Sequence, residues 1–177
     1  MSKTIRYYRH SETVWNKEGR LQGWLDSSLT EKGVEQAKAV NWDPDIVFCS
    51  DLARAKTTAS LMFPNKKVHP SALLREIDLG EWQGKTVEQL QKDAHYCCYE
   101  QTPHEFQATS QETFDLVTKR MLHFHEQLLQ IPHKNIAVVS HGVALGCLFC
   151  QLDHQTIEHV WGNLLPSAHY RELAITV

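Results

Sequence analysis

Three short stretches of the 177-residue chain carry side chains suited to holding and attacking an anion: Arg9-His10, Ser50 to Arg54, and His141-Gly142. The forked guanidiniums of Arg9 and Arg54 match the geometry of phosphate oxygens, and they stay charged at any physiological pH. The imidazoles of His10 and His141 titrate close to neutrality, so each can hold a proton or offer a lone pair to an electrophile. Helix-opening amides beside them would add neutral donors. This combination favours a dianionic phosphate over a metal ion, because guanidiniums repel cations.

Other groupings are chemically weaker. A thiolate nucleophile in a phosphate loop needs Cys-x5-Arg, whereas Cys49 and Arg54 have four residues between them. Cys147-Leu-Phe-Cys150 has zinc-like spacing but no second ligand pair, so helix packing explains it better and no metal site is expected. His123 and His125 are two apart and point in different directions on a helix, and together with His133 they are read as solvated surface. Trp15, Trp24, Trp42, Trp82 and Trp161 fit core and pocket walls better than base stacking.

The elements that must position these groups follow from hydrophobic pattern. Ile5 to Tyr8, Asp45 to Ser50 and Asn135 to Ser140 are short apolar runs and predict buried strands. A final strand is expected over Leu173 to Val177. Thr30 caps a helix carrying Val34, Ala37 and Val40, which Asp43-Pro44 stops, and Ser50 or Asp51 caps another that runs through Leu52 to Met62. Thr86-Val-Glu-Gln89 fits a capping box, opening a helix that extends toward Cys98. From Glu112 to Gln130, apolar residues recur at three- and four-residue steps for five turns. A small-residue helix follows His141-Gly142. Strands alternating with helices predict an α/β fold of three layers, a mostly parallel sheet with helices on both faces. Ligands of such sheets bind beyond the carboxyl ends of the strands, which is where Arg9-His10, Arg54 and His141 fall. The polar stretch from Arg9 to Leu29 is longer than an ordinary connection and is expected to carry function.

Composition narrows the partners. Lys and Arg total 18 against 21 Asp and Glu, a net charge of −3, with no basic stripe to track nucleic acid or an anionic membrane. No run reaches the roughly 18 apolar residues of a membrane span, and the start lacks a signal-peptide core, so a cytoplasmic protein is expected. Five cysteines without framework spacing are expected as free thiols. The length suits one domain over residues 1–177.

Longer motifs sharpen the chemistry. Tyr8-Arg-His-Ser-Glu-Thr-Val-Trp-Asn16 and Leu21-Gln-Gly-Trp-Leu-Asp-Ser-Ser-Leu-Thr30 resemble the signature of the histidine phosphatase, or phosphoglycerate mutase-like, superfamily. The resemblance continues in order through Ser50 to Ala59, Leu74 to Gly84 and Val139-Ser-His-Gly142, and so spans most of the chain. It implies that His10 is the nucleophile, that Arg9, Arg54 and His141 hold phosphoryl oxygens, and that Glu76 is the proton donor. It further implies that Asn16, Gln22 and Gly142 border the pocket, and that no cofactor is needed. Glu76 would have to arrive protonated to assist a poor alkoxide leaving group. The segment from 85 to 111, with Tyr96, Tyr99, His104 and Phe106, lies where the family places a variable cap.

One position departs from the family pattern. Ser11 stands where the tripeptide Arg-His-Gly has glycine, so it either crowds the phosphate or contributes a donor to it. The short chain resembles the small bacterial monoester phosphatases, including α-ribazole phosphatase relatives, more than the longer mutases. The expected function is therefore metal-independent hydrolysis of a small phosphorylated metabolite through a phosphohistidine. The alternatives are mutase-type transfer to a second hydroxyl, or a catalytically silent phospholigand binder, the latter motivated by Ser11.

Overall fold

A computed structural model describes residues 2–176. Five strands form one sheet in the order β3-β2-β4-β1-β5. They are β1 (Ser2–Arg9), β2 (Ile46–Ser50), β3 (Val68–Ser71), β4 (Asn135–Ser140) and β5 (Tyr170–Thr176). β1, β4, β2 and β3 run parallel, and β5 pairs antiparallel with β1. Val177, at the end of the expected last strand, lies outside the described residues.

Alternation along each strand divides the core between two faces. Ile136 and Val138 of β4 point with Ile5 and Tyr7 toward α6 (Phe114–Gln130) and α7 (Gly142–Leu152). Ala137 and Val139 point with Tyr8, Val47 and Cys49 toward α2 (Glu31–Lys38) and α3 (Ala53–Met62). The three-layer, mostly parallel α/β expectation holds. The periodic helix also forms as expected, since Val117, Met121, Phe124 and Leu128 are all buried on one face of α6. Each such burial is worth about 2 kcal/mol.

Four local expectations need correction. β3 was not anticipated, because Val68-His-Pro-Ser71 has no apolar run; its Pro70 is tolerated because the strand lies at the sheet edge. Neither Ser50 nor Asp51 supplies the helix cap of α3: Asp26, from the long loop, accepts the amides of Ala53 at 2.8 Å and Arg54 at 3.2 Å. The helix opened by Thr86 ends early. Its capping box forms, but α4 covers only Val87–Leu90, and Asp93 then accepts the amides of His95 and Tyr96 to start α5 (Ala94–Gln101). An Asp side chain competing for backbone donors is what splits the two. Finally, His125 is not surface: it is buried on α6, with Nδ1 2.7 Å from the Tyr7 hydroxyl, while His123 is exposed.

No described helix is long and apolar enough to cross a membrane. All five cysteines are free thiols.

Candidate active site

The strands β2, β4 and β1 are neighbours and parallel, so their carboxyl ends open at one edge. Arg9 is the last residue of β1 and pairs with Ser140, the last of β4. The His10 amide continues that ladder by donating to the Ser140 carbonyl at 2.9 Å. His10 and His141 therefore leave adjacent strands side by side, with ring centroids 5.2 Å apart. Arg54 joins them from the first turn of α3, immediately beyond β2.

His10 is buried, and its Nδ1 lies 2.8 Å from the Ser11 carbonyl. A carbonyl only accepts, so Nδ1 carries the proton and Nε2 keeps its lone pair. Burial, then the charges of Arg54 and Arg9, hold this imidazole well below its ordinary pKa. His141 is likewise held well below, by burial and by Arg54. Both rings are thus neutral at pH 7, the form a nucleophile needs.

Arg9 and Arg54 are oriented by backbone oxygens. Arg9 Nη1 donates to the Leu165 carbonyl at 2.8 Å. Arg54 donates to the carbonyls of Leu25 and Gly23, each at 2.7 Å, and to Asp26 Oδ1 at 2.8 Å. The Gly23 carbonyl reaches Arg54 because the chain turns there with φ of +52°, and a Cβ at that residue would lie 2.3 Å from Gln83 Oε1. The positive φ favours glycine, while the Gln83 side chain could shift to admit a Cβ. The Nε atoms of both arginines and both ring nitrogens of His141 are buried without a partner. Unsatisfied buried groups cost about 1–3 kcal/mol each, and an anion with several acceptor oxygens is the kind of ligand that could satisfy these four.

Glu76 faces the same cavity from the segment after a short 3-10 turn, Ala72–Leu74. Its Oε1 accepts the amides of Ile77 at 2.9 Å and Ala144 at 2.8 Å, and its Oε2 accepts that of Val143 at 3.1 Å. The carboxylate therefore caps the amino end of α7, beside the place where His141 and Gly142 begin that helix.

Asn16 and Gln22 both border the cavity. Asn16 Oδ1 accepts from the Thr13 amide, Gln22 Oε1 accepts from Ser27, and the Thr13 hydroxyl is within reach of both oxygens. Their oxygens being engaged, each presents its amide nitrogens as donors. Gly142 also borders the cavity, and a Cβ there would come 3.5 Å from the Arg9 guanidinium. His141 stands behind this lining.

Ser11 does not line the cavity. Its φ is not positive, it is fully buried, and its amide donates to Thr58 Oγ1 at 3.1 Å. The residue therefore does not crowd the cavity, although its hydroxyl is buried without a partner.

The cavity measures about 550 Å³. Beyond the cluster at its floor, the lining includes Tyr96, Tyr99 and Glu100 of α5, with Trp161, whose ring meets Tyr99 edge-on, and Leu164. Of these, Leu164 was not expected in the site, Glu100 was expected only as part of the cap segment, and Trp161 bears out the pocket-wall reading of the tryptophans. Two positioning residues were also missed. Asp26 is one, and Arg120 of α6 is the other. Arg120 donates to the carbonyls of Leu73 at 2.9 Å, Arg75 at 2.5 Å and Glu76 at 2.9 Å, and it pairs with Glu112 at 2.8 Å. Trp24 Nε1 donates to the same Glu76 carbonyl at 2.8 Å. No sequence signal marks Arg120, which sits among the apolar repeats of a long helix. No cluster of three potential metal-ligating side chains occurs among the described residues.

The family profile described as the histidine phosphatase superfamily (branch 1) matches residues 6–176. The chain belongs to that superfamily. Phosphoserine phosphatase 1 of Hydrogenobacter thermophilus is 29% identical over 172 residues, covering 92% of this chain and 82% of that protein. Adenosylcobalamin/alpha-ribazole phosphatase of Escherichia coli is 31% identical over 163 residues, covering 86% and 80%. The solved structure of Bacillus stearothermophilus YhfR superposes with a TM-score of 0.90 at 29% identity, covering 96% of this chain and 90% of that one. Phosphatase chemistry is thus the activity class of this histidine phosphatase superfamily member.

Proposed function

We propose that the chain hydrolyses small phosphomonoesters by way of a phosphohistidine on His10, without a metal ion. The observation that carries this reading is the state of His10: a neutral imidazole with its proton tied to the Ser11 carbonyl and an unengaged Nε2, flanked by two fixed guanidiniums. Phosphoryl transfer depends mainly on positioning and on stabilising charge at the equatorial oxygens. Arg9, Arg54 and the His141 ring supply that stabilisation, with the amide groups of Asn16, Gln22 and Gly142 around them.

In the first step His10 Nε2 forms a bond to phosphorus as the bond to the alcohol oxygen breaks, and Glu76 gives the leaving oxygen its proton. In the second, Glu76 takes a proton from water, the water oxygen bonds to phosphorus, and the P–N bond returns its electrons to His10. The carboxyl of Glu76 must leave at least one of its three amide partners to reach the leaving oxygen. The segment 85–111, which contains α4 and α5, serves as the cap of a single domain and sets the shape of the leaving-group space.

The test is release of phosphate from p-nitrophenyl phosphate and a panel of alkyl monoesters in EDTA, comparing wild type with His10→Ala. Turnover by wild type alone is expected. Equal rates for the two proteins, or none with any ester, would reject the nucleophile and the hydrolase reading.

A further inference from the structure

The outer wall of the cavity differs from its floor in both charge and surface. Glu100 lies there in α5, four residues after Tyr96 and therefore on the same helix face. Its carboxylate forms no ion pair and no hydrogen bond among the described residues. The other charged side chain of the outer wall is already engaged. Arg20 donates from Nε to Glu18 at 3.3 Å and from Nη1 to the Gly84 carbonyl at 2.5 Å, and it lies over the Trp15 ring at 5.7 Å. Arg20 and Glu18 balance each other. Nearer the phosphate site, Arg9 and Arg54 face Glu76 and an incoming dianion, and Arg54 already pairs with Asp26 at 2.8 Å. Glu100 is exposed and adds one further, unpaired carboxylate to the lining.

The rings beside it are of the kind that attract cations. Tyr96, Tyr99 and Trp161 border the cavity, and an aromatic face carries partial negative charge. These rings are held in place. Tyr99 stacks on Phe114 with an interplanar angle of 7° and meets Trp161 edge-on at 72°, and Tyr96 packs edge-on against the buried Trp82 at 89°. A carboxylate set beside fixed, largely buried aromatic rings favours an ammonium group over a second anion.

We propose that Glu100 selects phosphomonoesters whose alcohol part carries a cationic nitrogen, with Tyr96, Tyr99 and Trp161 as the surface that nitrogen rests on. The inference rests on the hydrolase reading for its catalytic readout. It makes Glu100 a specificity-determining residue of the leaving-group space.

Three esters of similar size separate the charge effect from fit: O-phosphoethanolamine, propyl phosphate and phosphoglycolate. Wild type is expected to rank them in that order by kcat/KM, with the cation ahead of the anion by on the order of tenfold. Glu100→Gln should bring that ratio close to one, and Glu100→Lys should invert it. Ratios within each variant cancel any general loss of activity. A wild type that prefers the anion, or a ratio that survives Glu100→Gln, overturns the proposal. Hydrolysis of p-nitrophenyl phosphate by wild type, lost in His10→Ala, reports on the hydrolase reading separately. Should that reading fail, Kd values for the same three esters, measured by calorimetry on wild type and Glu100→Gln, carry the decision. The same ranking, lost in the variant, supports the proposal, and a flat or reversed ranking defeats it.

Discussion

Lowering the pH from 7.5 to 5 should destabilise this fold steeply, and the buried histidines set the size of the effect. His10 and His141 are both buried and are held well below their ordinary pKa, chiefly by burial and then by neighbouring guanidiniums. In the unfolded chain each regains a value near 6.5. A group whose folded pKa is depressed contributes stability that is fully present above the unfolded pKa and is lost as pH falls below it. Below about pH 6.5 the unfolded state takes up protons the native state refuses, at about 1.4 kcal/mol per pH unit for each group. Two groups give a limiting slope of about 2.7 kcal/mol per pH unit for as long as both stay neutral in the fold. Each such unit is a sizeable part of the roughly 5–15 kcal/mol typical of a domain. His125, lowered by burial beside Tyr7, acts in the same direction. Asp45, Asp51 and Asp153 are also lowered, by backbone amides in the first case and by Arg75 and Arg171 in the others. Their contribution is lost only below about pH 4, the unfolded value of an aspartate, so the window from pH 6.5 to 5 belongs to the histidines. Urea unfolding followed by tryptophan fluorescence at half-unit steps of pH measures the slope directly. His141→Asn should reduce it by about 1.4 kcal/mol per pH unit. A wild-type slope below that single-group value, or an unchanged slope in the variant, would refute the claim that these rings are held neutral.

Two further perturbations probe how the site is held. Glu76→Gln should slow hydrolysis of alkyl phosphates far more than of p-nitrophenyl phosphate, whose leaving group needs little protonation, and Arg120→Met should reproduce that bias by freeing the Glu76 segment. Equal losses on the two esters would reject the acid role, and an Arg120→Met enzyme without the bias would reject the positioning role. Asp26→Asn weakens both the cap of α3 and the pair with Arg54. It should cost about 1–2 kcal/mol in urea unfolding and raise KM for phosphate esters more than it lowers kcat. A KM that does not move would show that Arg54 holds its place through the Leu25 and Gly23 carbonyls alone.

The parts of the fold legible in the sequence are those that repeat. The face of α6 recurs at helical spacing, and Ile136 to Val139 form one uninterrupted apolar run because both faces of β4 are covered. The candidate cluster was legible for a different reason: Arg9 ends a strand and Arg54 and His141 follow strands, and the rule that ligands sit beyond strand ends needs only the order of the elements. What failed was local and competitive. Edge strand β3 repeats nothing, and α4 stops where Asp93 offers its own carboxylate to the next amides. Ser11 does not border the cavity, since adjacency in sequence to His10 does not fix which residues face it; its amide donates to Thr58 of α3.

The residues that hold the proposed catalytic groups were the hardest to see, and the reason is physical. Asp26 and Arg120 lie 28 and 44 residues from the Arg54 and Glu76 they serve. Both act largely on backbone: Asp26 on the amides of Ala53 and Arg54, Arg120 on the carbonyls of Leu73, Arg75 and Glu76. Backbone groups have no side-chain identity, so such contacts leave no complementary pattern in the sequence. Glu76 has its carboxyl on one helix end and its carbonyl between Trp24 and Arg120, so distant side chains clamp its main chain. Under the proposed acid role the carboxyl would have to leave an amide to reach the leaving oxygen, and the rigidity of the segment would then come from that clamp on the backbone.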